Sequence, residues 1–138
     1  MKSFSWPIRV YYEDTDAGGV VYYANFLRFM ERARTEWLRS YGIEQDQLRD
    51  EHGAIFVVRH VELNYLSPAR LNDRLEVTAK VVAEGRTSWT FEQDVIRHDD
   101  GGSVKLCGGS VKIVCLDAAA FRPRQIPEHI LMEIRSVC

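Results

Sequence analysis

Residues 22–41 carry a stripe of apolar and aromatic side chains at helical spacing, and any fold open to this chain has to bury it. Tyr22, Phe26, Phe29, Met30, Ala33, Trp37, Leu38 and Tyr41 recur at intervals of three and four, the repeat of one helical face. Arg28, Glu31, Arg32, Glu36 and Arg39 fall largely on the other side. The spacing predicts one continuous helix from Tyr22 to Tyr41, about 30 Å long by its rise per residue. Gly42, suited to the left-handed stop, would end it. Such a helix spans a small domain and can serve as its core.

The rest of the chain reads mainly as strands. Trp6 to Glu13 alternates, with Ile8, Val10 and Tyr12 on one face, and Pro7 fits only near a strand start or an edge. Gln45 to Glu51 reads as a short polar helix or loop closed by Gly53. Ile55 to Leu66 is a second strand in which Val57, Arg59, Val61, Leu63 and Tyr65 share a parity, ended by Ser67-Pro68-Ala69. Leu75 to Val81 and Trp89 to Val95 alternate as a third and a fourth strand, joined by a hairpin-length Glu84-Gly85-Arg86-Thr87. Ser103 to Leu116 is a fifth, and Gly108-Gly109 within it suggests a bulge or a close backbone approach. Ile126, Ile130, Leu131, Ile134 and Val137 after Pro127 predict a short terminal helix. A strand, a long helix and then four strands joined by short turns favour an α+β domain with an antiparallel sheet wrapped on one helix. The echo of Gly101-Gly102-Ser103-Val104-Lys105 at Gly108 to Lys112 is seven residues on, an odd spacing that puts the copies on opposite strand faces. It lacks the Lys-Ser/Thr end of a phosphate loop and is read as chance.

At 138 residues the chain fits a single domain, residues 1–138, large enough for a core without disulfide or metal. A net charge of −2 argues against a general nucleic-acid binder, which normally carries a basic excess. The three cysteines, Cys107, Cys115 and Cys138, have no CxxC spacing, so neither a disulfide framework nor a zinc site is expected. Free thiols fit a reducing compartment, and no apolar run is long enough to span a bilayer, so a cytoplasmic location is expected.

Chemistry concentrates at the junction of the first strand and the long helix. Glu13, Asp14 and Asp16 lie within four residues just ahead of the helix start, where the commonest role of an acid is to cap the helix or face its positive end. Two features point beyond capping. Gly18 and Gly19 stand between the acids and the helix and free backbone N–H groups to face a ligand. Tyr11, Tyr12, Tyr22 and Tyr23 flank the junction densely enough to wall a pocket. Elsewhere there is no Gly-x-Ser-x-Gly elbow, no His-Glu-x-x-His and no glycine-rich dinucleotide signature. His52, His60, His98 and His129 are expected to serve structure or solvation, and strand cysteines to be inert.

Over nearly its whole length the chain resembles the hotdog-fold acyl-CoA thioesterases of the 4-hydroxybenzoyl-CoA thioesterase class, most closely the Tol-Pal-associated members. The resemblance runs through Trp6-Pro7, Arg9 to Asp16, Gly18 to Tyr22, Glu31 to Glu36, and Pro68-Ala69-Arg70-Leu71 with Asp73. It implies a hotdog fold, five antiparallel strands around one long central helix, and hydrolysis of acyl-CoA or acyl carrier protein thioesters. It also implies homodimers, often paired into homotetramers, with the site between subunits. The family's acid falls on Asp16, and its helix-start N–H falls on Tyr23, where many Tol-Pal-associated members have histidine. Val21, Tyr22 and Arg59 join the substrate-binding set. Arg86, Thr87 and Ser88 are expected at the coenzyme's phosphates, in what is otherwise an ordinary solvated turn. No cofactor or metal is implied, since coenzyme A is part of the substrate. The alternative class is a non-catalytic acyl-binding or partner-binding module of an envelope-maintenance complex.

Overall fold

In the computed structural model, which describes residues 3–135, the apolar stripe forms helix α1 (Asn25–Arg39). Phe26, Phe29, Met30, Ala33, Trp37 and Leu38 are buried along it. The helix is shorter at both ends than the expected Tyr22–Tyr41, and its fifteen residues span about 22 Å rather than about 30 Å. At the start, the Val21 N–H is donated to the Ala69 carbonyl at 2.8 Å and the Tyr22 N–H to the Asp14 carbonyl at 3.2 Å, so the chain is still tied to other segments there. At the end, Gly42 takes φ 77°, a left-handed turn that a helix cannot continue through. Two more helices follow: α2 (Gln45–His52), stopped by Gly53 at φ 63°, and α3 (Glu128–Arg135). α1 is thus shorter than the long central helix expected, and two shorter helices stand where a short polar helix or loop and a terminal helix were expected. Ile126, Ile130 and Ile134 are buried as their spacing predicts, and Val137 lies outside the described residues.

The five longer strands are β1 (Phe4–Arg9), β2 (Ala54–Tyr65), β3 (Arg74–Glu84), β4 (Ser88–Asp99) and β5 (Gly102–Asp117). They form one antiparallel sheet in the order β1-β3-β4-β5-β2, and a two-residue β6 (Arg122–Pro123) pairs with Leu116 and Asp117 of β5. The first strand ends at Arg9, short of the expected Glu13, because Tyr12–Asp14 winds into a single 3-10 turn. β1 is an edge strand, which is why it tolerates Pro7. Leu75, Val77, Ala79 and Val81 of β3, with Trp89, Phe91 and Val95 of β4, turn one buried face toward α1. That helix packs on β1, β3 and β4.

Three bulges reset the alternation. In β3, Val81 faces Phe91 and Ala83 faces Thr90, so Val82 is an extra residue. Val58 faces Ile113 and His60 faces Lys112, so Arg59 is an extra residue in β2. Val57 therefore lies on the opposite face from Val61, Leu63 and Tyr65, contrary to the parity expected. In β5, Lys105 faces Ile96 and Cys107 faces Val95, leaving Leu106 as the extra residue. Its carbonyl accepts the N–H groups of Leu66 and Ser67 at 2.8 and 3.1 Å. This extra residue makes the odd spacing of the Gly-Gly-Ser-Val-Lys echo effectively even, and both copies share a face. The close approach expected at the second glycine pair is real: a Cβ on Gly109 would stand 1.8 Å from the Glu62 carbonyl oxygen.

The core contains one polar tie that alternation hides. Gln93 of β4 is fully buried; its amide donates to the carbonyls of Met30 and Thr78, both at 3.1 Å, and its Oε1 accepts from Arg34 Nη1 at 2.9 Å. Cys107 and Cys115 are buried free thiols; burial first, then the nearby Asp94 charge, pushes Cys107 up to about 11. Cys138 lies outside the described residues.

Candidate active site

The segment between β1 and α1 is folded by its own acids. The Asp14 side chain is 7% exposed, and its Oδ2 accepts the Tyr11 N–H at 2.9 Å. The Asp14 carbonyl takes the Asn25 side-chain amide at 2.9 Å, so this residue orders the turn. Asp16 is exposed. Its Oδ1 accepts the Gly18 N–H at 2.8 Å, its own N–H goes to the Val20 carbonyl at 2.9 Å, and its carbonyl accepts the Gly19 N–H at 3.0 Å. Gly19 sits at φ 79°, which this tight reversal requires. One carboxylate oxygen is thereby fixed by the backbone, while Oδ2 has no partner among the described residues.

Neither acid caps α1. Ala24 occupies the cap position and no side chain bonds to the first turn. Asn25, Phe26 and Leu27 donate to the carbonyls of Tyr22, Tyr23 and Ala24 at 2.8, 3.3 and 3.1 Å, while the N–H groups of Tyr23 and Ala24 find no acceptor among the described residues. Unspent donors at the positive end of a helix attract negative charge.

Aromatic rings wall this end of the molecule. Tyr22 and Tyr23 have ring centroids 4.8 Å apart, and the Tyr65 ring meets Tyr23 and Phe26 edge-on, both at 5.8 Å. A hydrogen bond with the Tyr23 hydroxyl, and more weakly the Asp16 charge, raise the Tyr22 phenol above its ordinary range. Burial, with Cys107 and Tyr23 nearby, raises Tyr65. Tyr65 joins the wall from the last position of β2; its strand parity alone carried no sign of that. The Pro68-Ala69-Arg70 block also closes on the junction, since Arg70 bridges Val20 and Ala69 accepts from Val21.

The structure brings Asp16, Val21, Tyr22 and Tyr23 to one end of the sheet, but not in equal roles. Tyr23 is 60% exposed, whereas Val21 is buried in the core with its N–H already bonded. Arg59 lies on the β2 bulge, six residues from Tyr65 and roughly 20 Å along the strand. Arg86, Thr87 and Ser88 are at the opposite end, roughly 35 Å away along the eleven residues of β3. The hairpin there is anchored: Arg86 and Thr87 carbonyls accept the N–H groups of Ile126 and Cys115 at 3.0 and 2.7 Å. Within one chain, then, the hairpin and the junction do not meet.

His98 bonds Glu76 at 2.6 Å, His60 pairs with Glu62 at 3.2 Å, and the rings of His52 and His129 lie 4.4 Å apart; none of these contacts involves Asp16. Among the described residues no group of three metal-type ligands converges, and no helix is long and apolar enough to cross a membrane.

The sequence profile of the Thioesterase superfamily matches residues 18–104. The acyl-CoA thioester hydrolase YbgC of Escherichia coli O6:H1 is 43% identical over 132 residues, covering 96% of this chain and 96% of its own. The crystal structure of a probable thioesterase from Bartonella henselae superposes with a TM-score of 0.84 at 31% identity, covering 91% of this chain and all of that one. In fold alone, the 4-hydroxybenzoyl CoA thioesterase from Pseudomonas sp. strain CBS-3 matches at a TM-score of 0.87 and 20% identity, with 96% and 99% covered.

Proposed function

The chain belongs to the thioesterase superfamily, and from that premise we propose that it hydrolyses acyl-CoA thioesters with Asp16 as the working carboxylate and the Tyr23 N–H as the donor to the carbonyl oxygen. The hydrolase activity itself follows from relatives as similar as the 43% identical acyl-CoA thioester hydrolase and from the hotdog fold of its structural neighbours. One observation carries the residue assignment: an exposed, backbone-oriented carboxylate lies a few residues from two unspent N–H groups at an uncapped helix start. The buried Asp14 is already committed to Tyr11.

The chemistry asks little more. A thioester expels a thiolate whose parent thiol has a pKa near 8.5, roughly seven units below water, so the leaving group departs without a proton donor. Asp16 attacks the carbonyl carbon to give an anhydride that water then opens, or it takes a proton from the attacking water. In either route negative charge grows on the carbonyl oxygen, and the Tyr23 N–H with the α1 dipole behind it meets that charge. Tyrosine in place of histidine at this position leaves the backbone donor intact.

The distant hairpin enters through a second copy. β2 ends the sheet with its outer edge unpaired among the described residues, and Val58 on it is 49% exposed. Such an edge calls for cover. If β2 pairs antiparallel with β2 of a second copy, the two-fold axis turns that copy around, and the end carrying its Arg86 hairpin comes beside this chain's Asp16. Homodimers of this kind, and homotetramers built from them, would have composite sites in which Arg86, Thr87 and Ser88 hold the coenzyme's phosphates. The test is thiol release from a panel of acyl-CoAs and acyl carrier protein thioesters by wild-type and Asp16→Asn protein. Equal turnover would reject the carboxylate mechanism.

A further inference from the structure

Arg86 and Thr87 occupy the two middle positions of a tight turn closed by the Gly85 N–H, which is donated to the Ser88 carbonyl at 2.8 Å. The Arg86 side chain makes no hydrogen bond or ion pair among the described residues, so its aim is set by the backbone that carries it. That backbone is held from outside the hairpin. The Ile126 N–H is donated to the Arg86 carbonyl at 3.0 Å, and Arg135 Nη2, at the far end of α3, lies 3.5 Å from Glu84 Oε1 on the strand entering the turn. Residues 122–135 thus form a strap that leaves β5, touches the turn at Ile126 and meets its flank again at Arg135.

The strap has a fastening of its own at the last residue of α2. Arg124 donates its N–H to the Cys115 carbonyl at 2.9 Å, which extends the pairing of β6, and its Nη1 to the His52 carbonyl, also at 2.9 Å. The His129 ring then lies against the His52 ring, with centroids 4.4 Å apart and planes tilted by 35°. Ile126, Ile130 and Ile134 sink into the core from the inner side of the strap, whereas both histidines are exposed. An exposed ring pair adds little to the core, and neither ring bonds to the junction at Asp16. What the pair does fix is the position of the start of α3, and with it the Ile126 N–H three residues earlier.

We propose that His129 and His52 are positioning residues for the coenzyme: they clasp residues 122–135 to α2, and the strap in turn holds the Arg86 hairpin in the geometry that receives the phosphates. The inference rests on the placing of those phosphates at Arg86, Thr87 and Ser88 proposed above, and adds the residues that keep that site in shape. When only a fraction of the hairpins has the binding geometry, apparent affinity falls by that fraction. A loosened clasp therefore shows in KM for acyl-CoA and leaves kcat alone, because the thioester at Asp16 is cleaved as before.

The experiment measures kcat and KM for one acyl group carried on coenzyme A and on pantetheine, which ends before the phosphates. His129→Ala should raise KM for the acyl-CoA by about threefold or more at unchanged kcat, and leave kcat/KM for the acyl-pantetheine at its wild-type value. His129→Phe, which keeps a flat ring against His52, should restore the wild-type KM. An equal loss on both substrates would show a general structural effect and overturn the proposal. So would an unchanged KM in His129→Ala protein when Arg86→Ala protein has a raised one. An unchanged KM in Arg86→Ala protein would instead overturn the coenzyme reading beneath the proposal, and the proposal with it.

Discussion

Replacing Trp37 by alanine and, separately, by phenylalanine separates two opposed effects in the core. Trp37 is 1% exposed, and its ring meets those of Tyr41, Trp89 and Phe91 edge-on at 5.4, 5.4 and 5.2 Å. Truncation of a buried Trp to Ala costs about 3–5 kcal/mol, and three ring partners place this site toward the upper end. Against that, the Trp37 indole N–H is buried with no partner among the described residues, and its removal recovers about 1–3 kcal/mol of desolvation cost. The expected net loss for Trp37→Ala is about 3 kcal/mol. Phenylalanine keeps most of the packing and removes the same orphan donor, so Trp37→Phe should cost about 1 kcal/mol or less. Urea unfolding followed by far-UV circular dichroism, at one fixed protein concentration, gives both values. The reasoning fails if the alanine variant loses under about 1 kcal/mol, or if the phenylalanine variant is as damaged as the alanine one.

Asp16→Asn keeps the oxygen that accepts the Gly18 N–H, so it should fold normally while kcat falls on the order of a hundredfold or more, measured by thiol release. Asp14→Asn, whose carboxylate serves the Tyr11 N–H, should cost less activity and show its effect as a loss of about 1 kcal/mol in urea unfolding. Arg86→Ala should mainly raise KM for acyl-CoA, since phosphates are bound alike in ground and transition states. At substrate concentrations well below the raised KM, mixed dimers of Asp16→Asn and Arg86→Ala subunits should recover activity well above either parent, because one of their two composite sites is then wild type; no recovery would refute the shared site. Gly109→Ala should be far more destabilising than Gly108→Ala in the same unfolding assay, because the first meets the Glu62 carbonyl and the second meets side-chain atoms of Asp94 and Lys105 that can move.

The helix and the third and fourth strands were legible because the stretches that mark them, Leu75 to Val81 and Trp89 to Val95 among them, keep their period without interruption; the bulge at Val82 falls just beyond the first of these two. What alternation could not show are places where one residue drops out of register. Arg59 and Leu106 each add a residue to one strand and not its neighbour, and nothing in their own side chains announces it. The early end of β1 and the late start of α1 come from pairings between distant segments, Thr15 with Val21 and Val20 with Arg70, that a local window does not contain. Gln93 and Arg34 were hidden for a different reason: each is polar, and each is buried because the other satisfies it. The acids were legible as a cluster by position, whereas the division between them, Asp14 inward and Asp16 outward, needed the backbone donors of Tyr11 and Gly18.

The missing cap on α1 sets thermal tolerance against turnover. The first turn of α1 holds no acid, and a carboxylate at its positive end would be worth about 0.3–1 kcal/mol, so Ala24→Asp is a substitution that a routine search for a hardier variant would select. On the proposed mechanism the new carboxylate would set a fixed negative charge next to the Tyr23 N–H and oppose the charge that grows on the carbonyl oxygen there. The variant should melt later and work more slowly, and screening by melting temperature alone would enrich for the slower enzyme.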